Sequence, residues 1–135
     1  MKYLPSATEL LEVESCAEKE RLHFFLTRAI ESEEVWGLSN PSGWVMKEDK
    51  GLSILPVWPY EQMAINCAAN EWQDYVPGAV SLEHFVYNLL PVMIKRDIKV
   101  EILPTKSQPG HLLAPRDLVS LFEGMLESGE YYMEG

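Results

Sequence analysis

Leu22, Phe25, Leu26, Ala29 and Ile30 are spaced three and four residues apart, which is the signature of a helix with one buried face. Two capping boxes precede them, Ser6-Ala7-Thr8-Glu9 and Ser15-Cys16-Ala17-Glu18, each a hydroxyl followed three residues later by a carboxylate. Helix is therefore expected over residues 6–31, as one element or two. Ser15 gives the better start, and residues 1–14 read as a leader or a short separate helix. After Glu34 the period shortens. Val35-Trp36-Gly37-Leu38, Trp44-Val45-Met46 and Leu52 to Trp58 are short aromatic and β-branched runs. Turn-forming Ser39 to Gly43 and Glu48 to Gly51 separate them, predicting an antiparallel three-stranded meander. Pro56 has no N–H for a ladder, so the third strand should end there or lie at an edge.

The second half alternates helices with short strands. Pro59 suits a helix start, and Met63, Ala64, Cys67, Ala68 and Trp72 give an apolar face running to about residue 73. Pro77 to Ser81 reads as a loop or very short strand, with Ser81 available to cap the next helix. That helix presents Phe85, Val86, Leu89, Leu90, Met93 and Ile94, and Pro91 should kink it or end it near Leu90. Ile98 to Leu103 alternates with period two, which predicts a strand with Lys99 and Glu101 facing solvent. Pro115 opens a last helix that buries Leu118, Val119, Phe122, Met125 and Leu126. The expected architecture is α+β in two layers: one domain over residues 15–128, with an acidic tail over 129–135.

Composition narrows the function. The chain has 135 residues, with 21 acids against 11 bases for a formal net charge of -10. The deficit is even: residues 1–67 hold 11 acids and 6 bases, residues 68–135 hold 10 and 5. No basic lobe is concealed, so nucleic acid is not an expected partner. No apolar stretch approaches a membrane span and the N-terminus lacks a signal-peptide pattern. Cys16 and Cys67 show no CxxC spacing. A cytoplasmic location with free thiols follows as the expectation.

The tryptophan region resembles a known family. Glu34-Val35-Trp36-Gly37-Leu38, Gly43-Trp44, Leu55-Pro56-Val57-Trp58-Pro59, Glu61 and Ala64 carry the likeness, which continues through Trp72, Tyr75, Leu82, Phe85, Leu90 and Pro91. Pro104, Gly110, Pro115 and Leu118 follow it more loosely. These residues are similar to a family of small bacterial proteins catalogued as domain of unknown function 2750, over about residues 20–128. The resemblance implies a common fold and no reaction, ligand or partner. One departure is local: the family pattern has Asp-Gly before the late strand, where this chain has Arg96-Asp97-Ile98.

No residue pattern nominates a catalytic group. Cys16 and His23 lie seven residues apart on a helix, roughly 10 Å, too far for direct activation. His23, His84 and His111 belong to three elements, and Glu20 with His23 or Glu83 with His84 makes only half of a metal site, so no metal and no cofactor is expected. All four tryptophans and Tyr60 fall within residues 36–72. Two readings stand for them: packing across adjacent strands, or a partner or ligand surface, with Trp58 the first choice for exposure. Trp36, Trp44, Trp58, Tyr60, Glu61 and Asn66 are the binding candidates, and Glu31, Glu33 and Glu34 the acidic contact candidates.

The expected function is a non-enzymatic interaction module, inhibitor- or immunity-like, toward a basic protein, since strong net charge speeds and orients such encounters. The alternatives are a small-molecule domain with an aromatic-lined pocket, walled by Trp44, Trp58 and Tyr60 with Glu61 or Asn66 at its mouth, and a homo-oligomeric structural protein.

Overall fold

The computed structural model describes residues 18–41, 43–68, 74–105 and 109–127. The leader over 1–14, the first capping box, Ser15 to Ala17 of the second, Trp72 and the tail over 129–135 lie outside them. Helix α1 spans Glu18–Ser32 and turns Phe25, Leu26, Ala29 and Ile30 inward, as the spacing predicts. It stops at Glu33, which adopts φ 59 and turns the chain into β1 (Glu34–Asn40). Strands β2 (Gly43–Trp44), β3 (Lys47–Asp49) and β4 (Leu52–Val57) follow. Lys50 and Gly51 both take positive φ between paired Asp49 and Leu52, a two-residue hairpin whose twist matches that of the strands.

The α+β class holds, and the chain builds two sheets. The order is β2-β1-β5 in one and β3-β4-β6-β7 in the other. β1 pairs antiparallel with β2, and β3 with β4, so the antiparallel pairings are shared between two sheets. The middle strand expected over Trp44 to Met46 keeps only Trp44, and Glu48 and Asp49, expected in a turn, lie in β3. The chain changes sheets at Val45 and Met46. Among the described residues, a bridge between Trp36 and Trp58 joins the sheets. Trp36 N–H donates to Trp58 O at 2.8 Å and Trp58 N–H to Trp36 O at 2.9 Å. Pro56 lies inside β4, opposite Glu101 of β6. Because Trp58 N–H points toward β1, alternation aims the Pro56 nitrogen to the same side. β3 has ended there, at Lys47 opposite Ile54, so the missing donor costs no ladder bond.

Helix α2 covers Glu61–Asn66. The segment expected as a loop or very short strand is the six-residue strand β5 (Val76–Ser81), paired with β1 from Glu34↔Ser81 to Ser39↔Val76. Gly37 and Gly78 face each other in that register, and the Trp44 indole covers both. A Cβ on Gly37 would come within 2.7 Å of the Trp44 ring, and one on Gly78 within 3.3 Å. The glycine that weakens the β propensity of this segment is the one that admits the indole.

Ser81 caps α3 (Leu82–His84), its hydroxyl accepting from His84 N–H at 3.1 Å. A π-helical stretch (Phe85–Leu89) then leads into α4 (Leu90–Arg96). Pro91 therefore neither stops the helix nor falls in a regular turn. The preceding widened turn, with Leu90 N–H bonded to Phe85 O, makes room where a proline ring would strike a carbonyl four residues back. Asp97 ends α4 with φ 55 and ψ 45, an aspartate in a left-handed position that glycine fills without strain. Replacing it by glycine relieves a Cβ clash and gives up only an exposed contact to Lys99 at 3.6 Å. Asp97→Gly is expected to raise stability by about 0.5–1 kcal/mol, read as a higher urea midpoint at unchanged m; a lower midpoint would contradict the strain.

β6 (Ile98–Ile102) runs parallel to β4 and antiparallel to β7 (His111–Leu113), and α5 (Pro115–Glu127) closes the fold. Buried Leu55, Val57, Ile98, Val100 and Ile102 meet Phe25, Phe85, Leu90, Leu118 and Phe122 in one core cluster. The expectation for Glu101 is overturned: it is 4% exposed. Period two assigned it to solvent, yet β6 is an inner strand and the return of the chain at Gly110 covers that face. Gly110 N–H donates to Glu101 Oε2 at 2.8 Å, and Lys47 Nζ reaches diagonally over β4 to Oε1 at 2.5 Å.

Candidate functional site

The aromatic candidates begin at the junction of the two sheets. Trp58 is 0% exposed, which corrects its selection as the exposed tryptophan. Its flanking prolines are themselves buried, and its indole N–H donates to Pro104 O at 2.8 Å. Cys67 Sγ donates to the same oxygen at 3.1 Å. Leu103, at φ 53, turns the chain sharply off β6. It is held on both sides, its N–H donating to Val57 O at 2.9 Å and its O accepting from Arg21 Nη1 at 3.2 Å. Arg21 is buried and its Nε has no hydrogen-bond partner among the described residues. Trp36 and Tyr60 are also buried and Trp44 is half-buried. Packing across strands accounts for Trp36, Trp44 and Trp58. Glu61 is half-buried, and exposed Asn66 accepts a hydrogen bond from Gln62 at 2.9 Å.

Tyr60 leads outward from this junction. Its ring meets Phe24 edge to face, with centroids 6.4 Å apart. The Arg28 guanidinium lies 5.0 Å above the Phe24 ring and bonds to Glu31 Oε1 at 2.9 Å. Phe24, Arg28 and Glu31 share a face of α1 because they are spaced by four and three residues. The structure thus connects the aromatic candidates to the acidic ones, which the sequence reading kept apart.

Glu31, Glu33 and Glu34 stand where α1 passes into β1. Leu82 N–H donates to Glu33 O at 2.8 Å and Glu34 pairs with Ser81, so the start of α3 is drawn to the same corner. Exposed Glu83 joins the three glutamates there, and 52% exposed Tyr87 lies a turn further on. Sequence reasoning considered Glu83 only as half of a metal pair with His84, and it passed over Tyr87. The turn-widening effect of Pro91 was the available signal for Tyr87, since π-helical turns are enriched at functional sites.

A separate cleft of about 270 Å³ lies between α4, β6 and the start of α5, lined by Ile94, Asp97, Lys99, Pro115, Arg116 and Asp117. None of the aromatic candidates lines it. His84 exchanges a hydrogen bond with Asn88 at 3.1 Å, and no group of three or more His, Cys, Asp or Glu among the described residues is placed to hold a metal. No described helix is long and apolar enough to cross a membrane.

Fold and site together define a mixed α+β protein of two small sheets and a shared core, with an acidic corner at its surface. The chain belongs to the family described as protein of unknown function DUF2750, whose model matches residues 22–121. No curated protein and no solved structure is significantly similar to it.

Proposed function

We propose that this protein is a non-enzymatic interaction module of the cytosol that engages a basic protein surface, in the manner of an inhibitor or immunity-type protein. The observation that carries this reading is the backbone pairing that brings the Glu31 to Glu34 run to the start of α3, where Glu83 lies, with Tyr87 exposed one turn beyond Glu83. The charges steer and orient the encounter, and the aromatic ring supplies a desolvated anchor. Trp36 and Trp58 do not contribute the apolar part of this surface, because their side chains are committed to the interior, and Trp44 packs over Gly37 and Gly78. For the same reason they give little support to an aromatic-lined small-molecule pocket.

The test is affinity capture from native extract with the wild type and with the combined E31Q, E33Q, E34Q and E83Q variant. A stoichiometric basic protein is expected at low salt, released at high salt. The charge variant should bind it roughly tenfold or more weakly, and Tyr87→Ala should slow association less than it speeds release. A partner held equally by the wild type and the charge variant would sink the reading.

A further inference from the structure

We propose that two copies of this chain pair through the outer edge of β5, antiparallel about Ala79, and so join their three-stranded sheets into one. This goes beyond the acidic contact, which lies on side chains at one end of the strand.

The directions of the backbone groups follow from the bonds already described. Trp36 spends its N–H and its C=O on Trp58, on the side of β1 away from β5. Leu38 O likewise accepts from Val45 N–H on that far side, at 2.7 Å. Alternation then makes Val35, Gly37 and Ser39 the residues that bond to β5, through Val80, Gly78 and Val76. Leu82 N–H, donated to Glu33 O, continues the same phase. Pro77, Ala79 and Ser81 therefore aim their backbone groups outward, away from β1. Ala79 and Ser81 are exposed and Pro77 is half-buried, and among the described residues no backbone hydrogen bond reaches the outward groups of Pro77 and Ala79, which leaves them for a partner strand.

This edge carries one of the usual defences, Pro77, which withdraws a single outward donor, and lacks the others. β3, at the rim of the other sheet, carries Lys47, Glu48 and Asp49, and β2 and β7 are only two and three residues long. Charge and shortness of this kind are how native edges avoid pairing. β5 is a six-residue strand, Val-Pro-Gly-Ala-Val-Ser, without a charged side chain. In a protein of net charge -10, whose copies repel, an uncharged strand is where two of them approach at least cost.

The edge is also self-complementary, and Pro77 sets the register. Its outward donors are Ala79 N–H and Ser81 N–H, because Pro77 has none. With Ala79 opposite Ala79 of a second copy, the two alanines exchange N–H and C=O, and each Ser81 N–H donates to the other chain's Pro77 O. Every outward donor finds an acceptor. Centring the pair on Pro77 would instead put two residues without donors face to face. A two-fold contact that uses the same strand on both subunits closes on itself and adds no further copies.

Sedimentation of the full chain over a concentration series tests this, together with amide hydrogen exchange of the same samples. The expected result is a species near twice the 15.4 kDa chain mass, strengthened by salt as repulsion is screened. This salt response is opposite to that of the acidic contact with a basic partner. Ala79→Pro removes the central outward donor without touching the β1 ladder and should raise the dimer dissociation constant about tenfold or more. Ala79→Ser keeps the donor and should still pair. In the wild type the Ala79 amide should become protected as concentration rises, while those of Gly78 and Val80, bonded to β1, stay protected throughout. This exchange pattern decides the matter even if Ala79→Pro does not fold. A monomer up to roughly 0.5 mM, or a dimer whose Ala79 amide exchanges at the same rate at every concentration, overturns the proposal.

Discussion

Trp58→Ala is expected to lower the stability of this protein by about 3–5 kcal/mol, the range for removing a fully buried large aromatic side chain. The side chain is 0% exposed, so its loss leaves a cavity where the two sheets and the Leu103 corner meet. It also leaves Pro104 O without the indole donor at 2.8 Å, although Cys67 Sγ still reaches that oxygen. Trp58→Phe keeps most of the apolar volume and loses the N–H, so about 1–2 kcal/mol should be its share. Urea unfolding of the two variants separates packing from the hydrogen bond. If Trp58→Ala cost less than about 1 kcal/mol, the side chain could not occupy the closed interior described above.

Glu101 should show the second large effect. Its carboxylate accepts from Gly110 N–H and pairs with Lys47. Glu101→Ala removes both interactions at once and is expected to cost about 3 kcal/mol, mostly from the polar groups it leaves behind. Glu101→Gln keeps an acceptor for Gly110 while ending the ion pair, and should cost roughly half as much. Equal losses in the two variants would place the whole effect in the charge. A loss below about 0.5 kcal/mol for Glu101→Ala would mean that the chain return at Gly110 does not depend on this side chain. The return itself is tight: a Cβ on Gly110 would lie 2.5 Å from Ile102 O and 2.7 Å from Glu101 Cγ. Gly110 and Glu101 thus fit each other by shape as well as by hydrogen bond.

Glu101 and Trp58 show where reading the chain alone reaches its limit. Both were assigned from neighbours in sequence: Glu101 by alternation, Trp58 by the prolines on either side. Alternation does separate the faces of β6, and Glu101 is indeed opposite the core residues Val100 and Ile102. What decides its burial is a loop arriving nine residues later to cover that face. For Trp58 the prolines mark the end of an element, and the end of an element in this fold is an interior junction. The acidic site divides in the same way. Glu31, Glu33 and Glu34 were legible as a run, but Glu83 and Tyr87 join them only through the pairing of β1 with β5.

By itself the sequence determined the elements with strong local causes. These are the apolar stripe of α1, a turn before Leu52 that includes Lys50 and Gly51, the Ser81 cap, the helices around Phe85 and Phe122, and the α+β class. Their causes act within a few residues, through side-chain period, capping hydroxyls and glycine at positive φ, so they can be read from a short stretch. Only the tertiary structure decided that the early strands belong to two sheets, that β5 is a full six-residue strand paired with β1, and which polar residues are buried. Those outcomes depend on partners distant in the chain, as in the union of Trp36 with Trp58, of Gly37 with Gly78 under Trp44, and of Lys47 with Glu101. Hydrogen-bond satisfaction and close packing select such partners in space, and no local period encodes them.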